Sequence, residues 1–255
     1  MTEQYVGGMH SVKALLKSAP EKIDRVLVQR GRRDSRLRAV LDLARASSLR
    51  IAEVDRKTLD ALVADVQHQG VVAVFSGESP LEPMTDLVAV IESRQEQVTR
   101  PLLVLVLDEI QDPHNLGACL RSADAVAADA VVIPVDNSVG VTPVVRKVAS
   151  GAAETVSLVQ VTNLKRAIGD LQKLGFWVYG AAGEASDTLY ELDLSGSVAL
   201  VLGAEGKGMR RLTRDACDSL FSIPMLGQVE SLNVSVAAGI SLFEARRQQT
   251  IDSDS

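Results

Sequence analysis

Three stretches of this chain are apolar at almost every position rather than at every second one: 102–107, 130–134 and 197–202. A strand with one face in water alternates apolar and polar side chains, so an unbroken apolar run belongs to a strand buried on both faces. Amphipathic patterns of helical period separate these runs, one from about Leu116, one over 142–150, one over 164–174 and one from Arg210. Shorter runs at 155–159, 177–181 and 221–223 read as further strands, and a last helix starts near Asn233. Strands and helices in alternation predict an α/β architecture with a parallel sheet covered on both sides. Ligands of such sheets bind in the crevice outside the carboxyl ends of the strands.

The first third has a different texture. Residues 10–18 read as an amphipathic helix, 25–28 as a strand, and 35–47 as a helix burying Leu37, Val40, Leu41 and Ala44. A strand at 50–54, a short helix at 58–64 and a strand at 70–75 complete a small α/β unit. Gly77-Glu78-Ser79-Pro80 and Glu82-Pro83 then break the pattern, a helix follows over 85–97, and Arg100-Pro101 punctuates it. The expected organisation is a small domain over 1–77, a linker over 78–100 and a larger domain over 101–255. Charge is divided the same way: residues 1–80 carry 13 Lys and Arg against 10 Asp and Glu, the remainder 14 against 23. Arg30, Arg32, Arg33, Arg36 and Arg38 crowd into nine residues with Asp34 among them, a cluster that could grip phosphate or simply be a solvated face.

No apolar run is long enough to span a bilayer, and the N-terminus lacks the basic-then-apolar pattern of a secretion signal. Cys119 and Cys217 offer neither a disulfide framework nor metal-ligand spacing, and His10, His68 and His114 form no ligand pair. The expectation is a cytoplasmic protein with no membrane and no metal.

Three short segments join a tight turn to polar side chains at the ends of apolar runs. In Asp112-Pro113-His114-Asn115-Leu116-Gly117, a strand ends, the chain turns, and Asn115 is placed to cap a helix that buries Leu116, Cys119, Leu120 and Ala123. Arg121 would project from that helix, either as a surface arginine or as a functional one. The glycine-rich Gly203-Ala204-Glu205-Gly206-Lys207-Gly208 is no nucleotide triphosphate loop, because only two residues separate its first glycines. It is no dinucleotide fingerprint either, so a tight turn with exposed amides and the Glu205 carboxylate remains. The third segment runs from Ile223-Pro224 into Ser231-Leu232-Asn233, where Ser231 or Asn233 could cap the last helix. Val236, Ile240 and Phe243 then form a stripe suited to a core or a subunit contact.

In this order and separation, the three segments resemble the signature of SpoU-type RNA 2′-O-ribose methyltransferases of the SPOUT superfamily. Gly7-Gly8-Met9-His10-Ser11-Val12, Gly31-Arg32-Arg33-Asp34 and His68-Gln69-Gly70-Val71-Val72-Ala73 resemble the L30e-like RNA-binding domain of one branch. Gly151-Ala152-Ala153-Glu154 and Asp187-Thr188-Leu189-Tyr190 resemble that branch as well. The resemblance implies a trefoil-knotted C-terminal domain, a homodimer with active sites at the subunit interface, and S-adenosylmethionine held in a bent form. It implies cofactor contacts at Gly203, Ile223 and Leu232, and catalysis and substrate placement by Asn115, Arg121, Glu205, Ser231 and Asn233. The implied reaction is 2′-O-methylation of a guanosine ribose in 23S rRNA, in the ribosomal loop that contacts peptidyl-tRNA, during ribosome maturation. Rival expectations are the same chemistry on tRNA, or a non-catalytic RNA-binding assembly protein. Two departures stand out: Ala127 where relatives commonly carry Gly, and Gln228-Val229-Glu230 in place of small or polar residues.

Overall fold

The computed structural model describes residues 3–32, 34–63, 67–76 and 84–251. Residues 78–83 of the expected 78–100 linker, the Ala64 end of one expected helix, and Arg33 of the arginine cluster lie outside these residues. The chain forms two compact units, Met1–Glu82 with Pro143–Thr155, and Pro83–Thr142 with Val156–Ser255.

The first unit contains β1 (Glu3–Gly7), α1 (Met9–Ser18), β2 (Arg25–Gln29), α2 (Ser35–Ala46), β3 (Arg50–Val54), α3 (Arg56–Leu62) and β4 (Val71–Ser76). The strands make a mixed sheet in the order β1-β4-β2-β3, with β2 and β3 parallel and the other pairs antiparallel. Side chains alternate across it with a period of two. Val71, Ala73 and Phe75 join the core with Leu15, Leu37 and Val40, while Val72 and Val74 pack with Leu59 on the opposite face. Asp34 and Asp55 cap α2 and α3 by accepting from the amides of Leu37 (2.9 Å) and Thr58 (2.7 Å). β1 escaped the sequence reading because a five-residue edge strand takes its conformation from its partner, β4. His68 is buried and structural. Its Nδ1 accepts from the Gly70 amide at 3.0 Å, and its Nε2 lies 2.8 Å from Asp60. Arg32 clips two loops together through Asp34 and the Gln69 carbonyl, both at 2.6 Å, whereas Arg30, Arg36 and Arg38 are exposed.

The second unit follows as α4 (Leu87–Gln97), β5 (Leu103–Asp108), α5 (Pro113–Ala125) and β6 (Ala130–Pro134). After α6 (Pro143–Ala149) come β7 (Leu158–Val161), α7 (Leu164–Lys173), β8 (Trp177–Ala181) and β9 (Val198–Gly203), then α8 (Arg211–Arg214), β10 (Ser219–Phe221) and α9 (Val234–Ile251). Its six strands are all parallel, in the order β10-β8-β9-β5-β6-β7. Every residue of β5 and β6 is buried, as unbroken apolar runs require. Among the described residues no helix is long and apolar enough to cross a membrane.

Several boundaries differ from expectation. The strand expected at 155–159 runs over Leu158–Val161, because a 3-10 turn at Ala152–Glu154 occupies the preceding residues. The last strand is Ser219–Phe221, so Ile223 has already left the ladder when Pro224 arrives. The cap of α5 is Asp112, whose Oδ1 accepts from the His114 amide at 2.8 Å, and not Asn115, which sits inside the first turn. Pro113, with its fixed φ and missing N–H, suits the first helical position and moves the start forward.

α6 and the turn after it cluster with the first unit, where Gly151, at φ +100°, lies against the backbone of His10. Glu154 is buried there. Burial raises its pKa, opposed by the Arg146 charge, and burial lowers the pKa of Arg146 in turn.

Candidate active site

The two central strands of the parallel sheet end together, with Asp108 of β5 opposite Gly203 of β9. Just beyond this pair, the loops after β8, β9 and β10 and the start of α9 enclose a cavity of about 670 Å³. Leu202, Gly203, Glu205, Phe221, Ile223, Ser231 and Leu232 all line it. Its position is where parallel-sheet proteins place ligands.

The glycine-rich segment is folded back on the end of β9. The Gly208 amide donates to the Ala204 carbonyl at 2.8 Å, and Gly206 and Gly208 take φ +78° and +67°. A Cβ on Gly203 would fall 2.0 Å from the Gly208 carbonyl carbon and 2.1 Å from the Met209 nitrogen, so no other residue fits. Asp108 fastens the far end of the turn. Its buried carboxylate accepts from the Arg210 amide at 2.9 Å and from Nε and Nη2 of the same guanidinium at 2.8 Å. The sequence reading missed this pair. Its one available signal was an acid terminating a fully apolar strand.

Asn233 links the motifs. Its Oδ1 accepts from the Ser235 amide at 2.9 Å and the Ser235 hydroxyl at 2.6 Å, capping α9. An amide has one acceptor end, so Nδ2 must face the other way. There it donates to Asn115 Oδ1 at 2.9 Å and to Glu205 Oε2 at 3.2 Å. Residues separated by more than 100 positions thus form one hydrogen-bonded group. Asn115 and Glu205 also line a second cavity, of about 240 Å³, which shares Ala204, Glu205, Lys207 and Val234 with the first.

Gly203, Ile223, Leu232, Glu205 and Ser231 therefore surround one cavity, Asn115 lines the other, and Asn233 hydrogen-bonds to Asn115 and to Glu205, which lines both. Arg121 lies apart from both. It is exposed on α5, lines neither cavity, and makes no hydrogen bond or ion pair among the described residues. The thiols are poor nucleophile candidates, since burial pushes Cys119 and Cys217 up to about 12.

Fold and site define an α/β protein with a nucleoside-sized cavity at the carboxyl edge of a parallel sheet. Residues 102–243 match the SpoU rRNA Methylase family, and residues 5–81 match the RNA 2'-O ribose methyltransferase substrate binding domain. The chain belongs to the SpoU rRNA methylase family. It is 50% identical over 244 residues to the 23S rRNA (guanosine-2'-O-)-methyltransferase RlmB of Pseudomonas putida, covering 96% of each chain. It is also 50% identical over 250 residues to the protein of that name from Haemophilus influenzae, covering 98% of this chain and 99% of the relative. Among solved structures, the SpoU methyltransferase AviRb of Streptomyces viridochromogenes superposes with a TM-score of 0.77 at 22% identity. That match covers 98% of this chain and 91% of the other.

Proposed function

We propose that this protein transfers the methyl group of S-adenosylmethionine to the ribose 2′-hydroxyl of a guanosine in 23S rRNA. The observation that carries the reading is the Asn115–Asn233–Glu205 hydrogen-bonded group, whose Glu205 lines both cavities, in a member of this family. The chain's likeness, over 96–98% of its residues, to relatives named for guanosine methylation supports guanosine as the substrate.

The larger cavity fits the methyl donor in size and lining. About 670 Å³ is within the usual range for a small-molecule site. Leu202, Phe221, Ile223 and Leu232 give an apolar bed for an adenine, and the missing Cβ at Gly203 lets the 208–209 backbone close against the end of β9 along the cavity wall. Gly203, Ile223 and Leu232 would hold the donor. When bound, S-adenosylmethionine supplies a sulfonium-activated methyl group. The chain's own residues must then orient the hydroxyl in line and let its proton leave. Asn115, Ser231 and Asn233 orient the ribose, and Glu205 orders the glycine turn through Asn233. Arg121 either clamps the adjacent phosphate with its planar fork or, coupled to that phosphate, also accepts the proton.

Two further parts of the reading rest on particular side chains. Val236 and Phe243 on α9 are 48% and 56% exposed in the single chain, which supports pairing of two copies through this helix. Arg121, which lines neither of its own chain's two cavities, would complete the partner's site. Exposed Arg30, Arg36 and Arg38 support RNA contact by the first unit. Trefoil threading of the C-terminal segments and a cytoplasmic location belong to the same reading.

The test is mass mapping of ribose methylation in 23S rRNA and tRNA from a strain lacking the protein. One guanosine in the ribosomal loop contacting peptidyl-tRNA should lose its methyl group and regain it on complementation. Intact 23S rRNA beside a tRNA lacking a methyl group would overturn the substrate.

A further inference from the structure

Glu109 is the first residue past β5, and it adopts φ +59°, the left-handed region that favours glycine. It is held there from two sides. Oε1 accepts from Asn137 Nδ2 at 3.2 Å and lies 3.4 Å from Arg210 Nη1, and Asn137 is itself left-handed at φ +58°. The Val139 amide donates to the Ile110 carbonyl at 2.9 Å, tying the same two loops together. Oε2 takes no hydrogen bond among the described residues. Glu109 lines the 240 Å³ cavity with Asn115 and Glu205, beside the larger cavity assigned to the methyl donor.

A carboxylate at an RNA site is unfavourable unless the RNA brings hydrogen-bond donors to it, because phosphates surround every nucleotide. Among the four bases, guanine alone presents two adjacent donors on its pairing edge, N1–H and the exocyclic N2–H. Adenine and cytosine set a ring-nitrogen acceptor beside their amino group, and uracil has one N–H between two carbonyls. An ionised carboxylate is an acceptor only, so it matches guanine and repels the others.

We propose that Glu109 determines base specificity by accepting hydrogen bonds from N1–H and N2–H of the acceptor guanine in the smaller cavity. This rests on the guanosine 2′-O-methylation reading above. Asn137 and Arg210 pre-set the carboxylate, so that little ordering remains when the base arrives. The left-handed backbone is the local strain accepted to put a side chain there rather than a glycine.

The experiment uses the full-length protein and a 23S rRNA fragment carrying guanosine or inosine at the mapped acceptor position. Inosine keeps N1–H and lacks the N2 amino group. Wild-type kcat/KM should favour guanosine over inosine by at least ~10-fold, since a site built to pair a donor rejects the analogue lacking it. Glu109→Gln should lower kcat/KM for guanosine by ~10-fold or more and for inosine by no more than ~3-fold, collapsing the preference. Glu109→Gly, free of the left-handed strain, should lose the preference too while melting no lower than wild type. Variants that lose both acceptors equally, or that keep the wild-type preference, would overturn the assignment. A wild type that methylates the fragment without preferring guanosine would overturn this inference alone. A wild type that methylates no rRNA would overturn the activity itself together with it.

Discussion

Asn233 does two separable jobs with the two ends of one amide, and Asn233→Asp against Asn233→Ala separates them. Alanine removes the cap, about 1 kcal/mol. It also removes the donor to Asn115 and Glu205, two partly exposed hydrogen bonds together worth about 1 kcal/mol. The total of about 2 kcal/mol should lower the melting midpoint by roughly 4–8 °C for a domain this size. Aspartate keeps an oxygen for the Ser235 amide and hydroxyl, and its charge suits a helix N-terminus. It turns a donor into an acceptor facing Glu205, however, where Nδ2 now stands 3.2 Å from Oε2. Two charges at that distance repel by about 1 kcal/mol in a water-like dielectric and by more with less solvent. The Asn115 amide would have to turn over to donate. Asn233→Asp should therefore melt only slightly above Asn233→Ala, by the few tenths to about 1 kcal/mol that its charge adds at the helix N-terminus, yet fall about 100-fold in turnover through misplacement of the site. Thermal denaturation and methyl transfer at saturating donor measure both. Near-normal turnover in Asn233→Asp would refute the site assignment, and equal melting of the two variants would refute the cap.

Gly203→Ala must push the Gly208–Met209 backbone away from a 2.0 Å overlap, so donor binding by calorimetry should be abolished while the N-terminal unit stays folded. Retained binding would show that this backbone does not form the donor site. Ala127 occupies φ +51° just past Val126, the C-cap of α5, and Ala127→Gly should raise stability by about 0.5–1 kcal/mol in urea titration. A loss would show that the Ala methyl makes a contact worth more than the strain. Glu154 carries a pKa raised chiefly by burial, so the folded chain binds its proton more tightly than the unfolded chain does. Its contribution is fullest below the ordinary carboxylate pKa and is lost as pH rises through the raised value. Urea midpoints between about pH 4 and about pH 7 should therefore shift in favour of Glu154→Gln relative to wild type. A pH-independent difference would refute the burial argument.

The architecture was legible because its cause is local. β5, β6 and β9 announced themselves as runs too apolar to have a wet face, and β3, β6 and β8 fall on the expected residues. Where the reading slipped, a rival local signal or a distant partner decided. Asp112-Pro113 outcompeted Asn115 for the start of α5, and β1 exists because β4 lies beside it. The apolar stripe of α9 was only half resolved by its spacing. Ala238, Leu242 and Ala245 turn to the core, leaving Val236 and Phe243 outside.

The amino-acid order by itself determined which segments become strands and helices, because side-chain period and burial are properties of neighbours a few residues apart. It also determined that the glycine-rich segment from Gly203 to Gly208 forms a tight turn. Only the tertiary structure decided which polar groups meet. Asn115, Glu205 and Asn233 share hydrogen bonds across 118 positions, and Arg210 reaches back 102 positions to Asp108. Such contacts depend on strand order and loop path, which bring together groups that no local pattern relates.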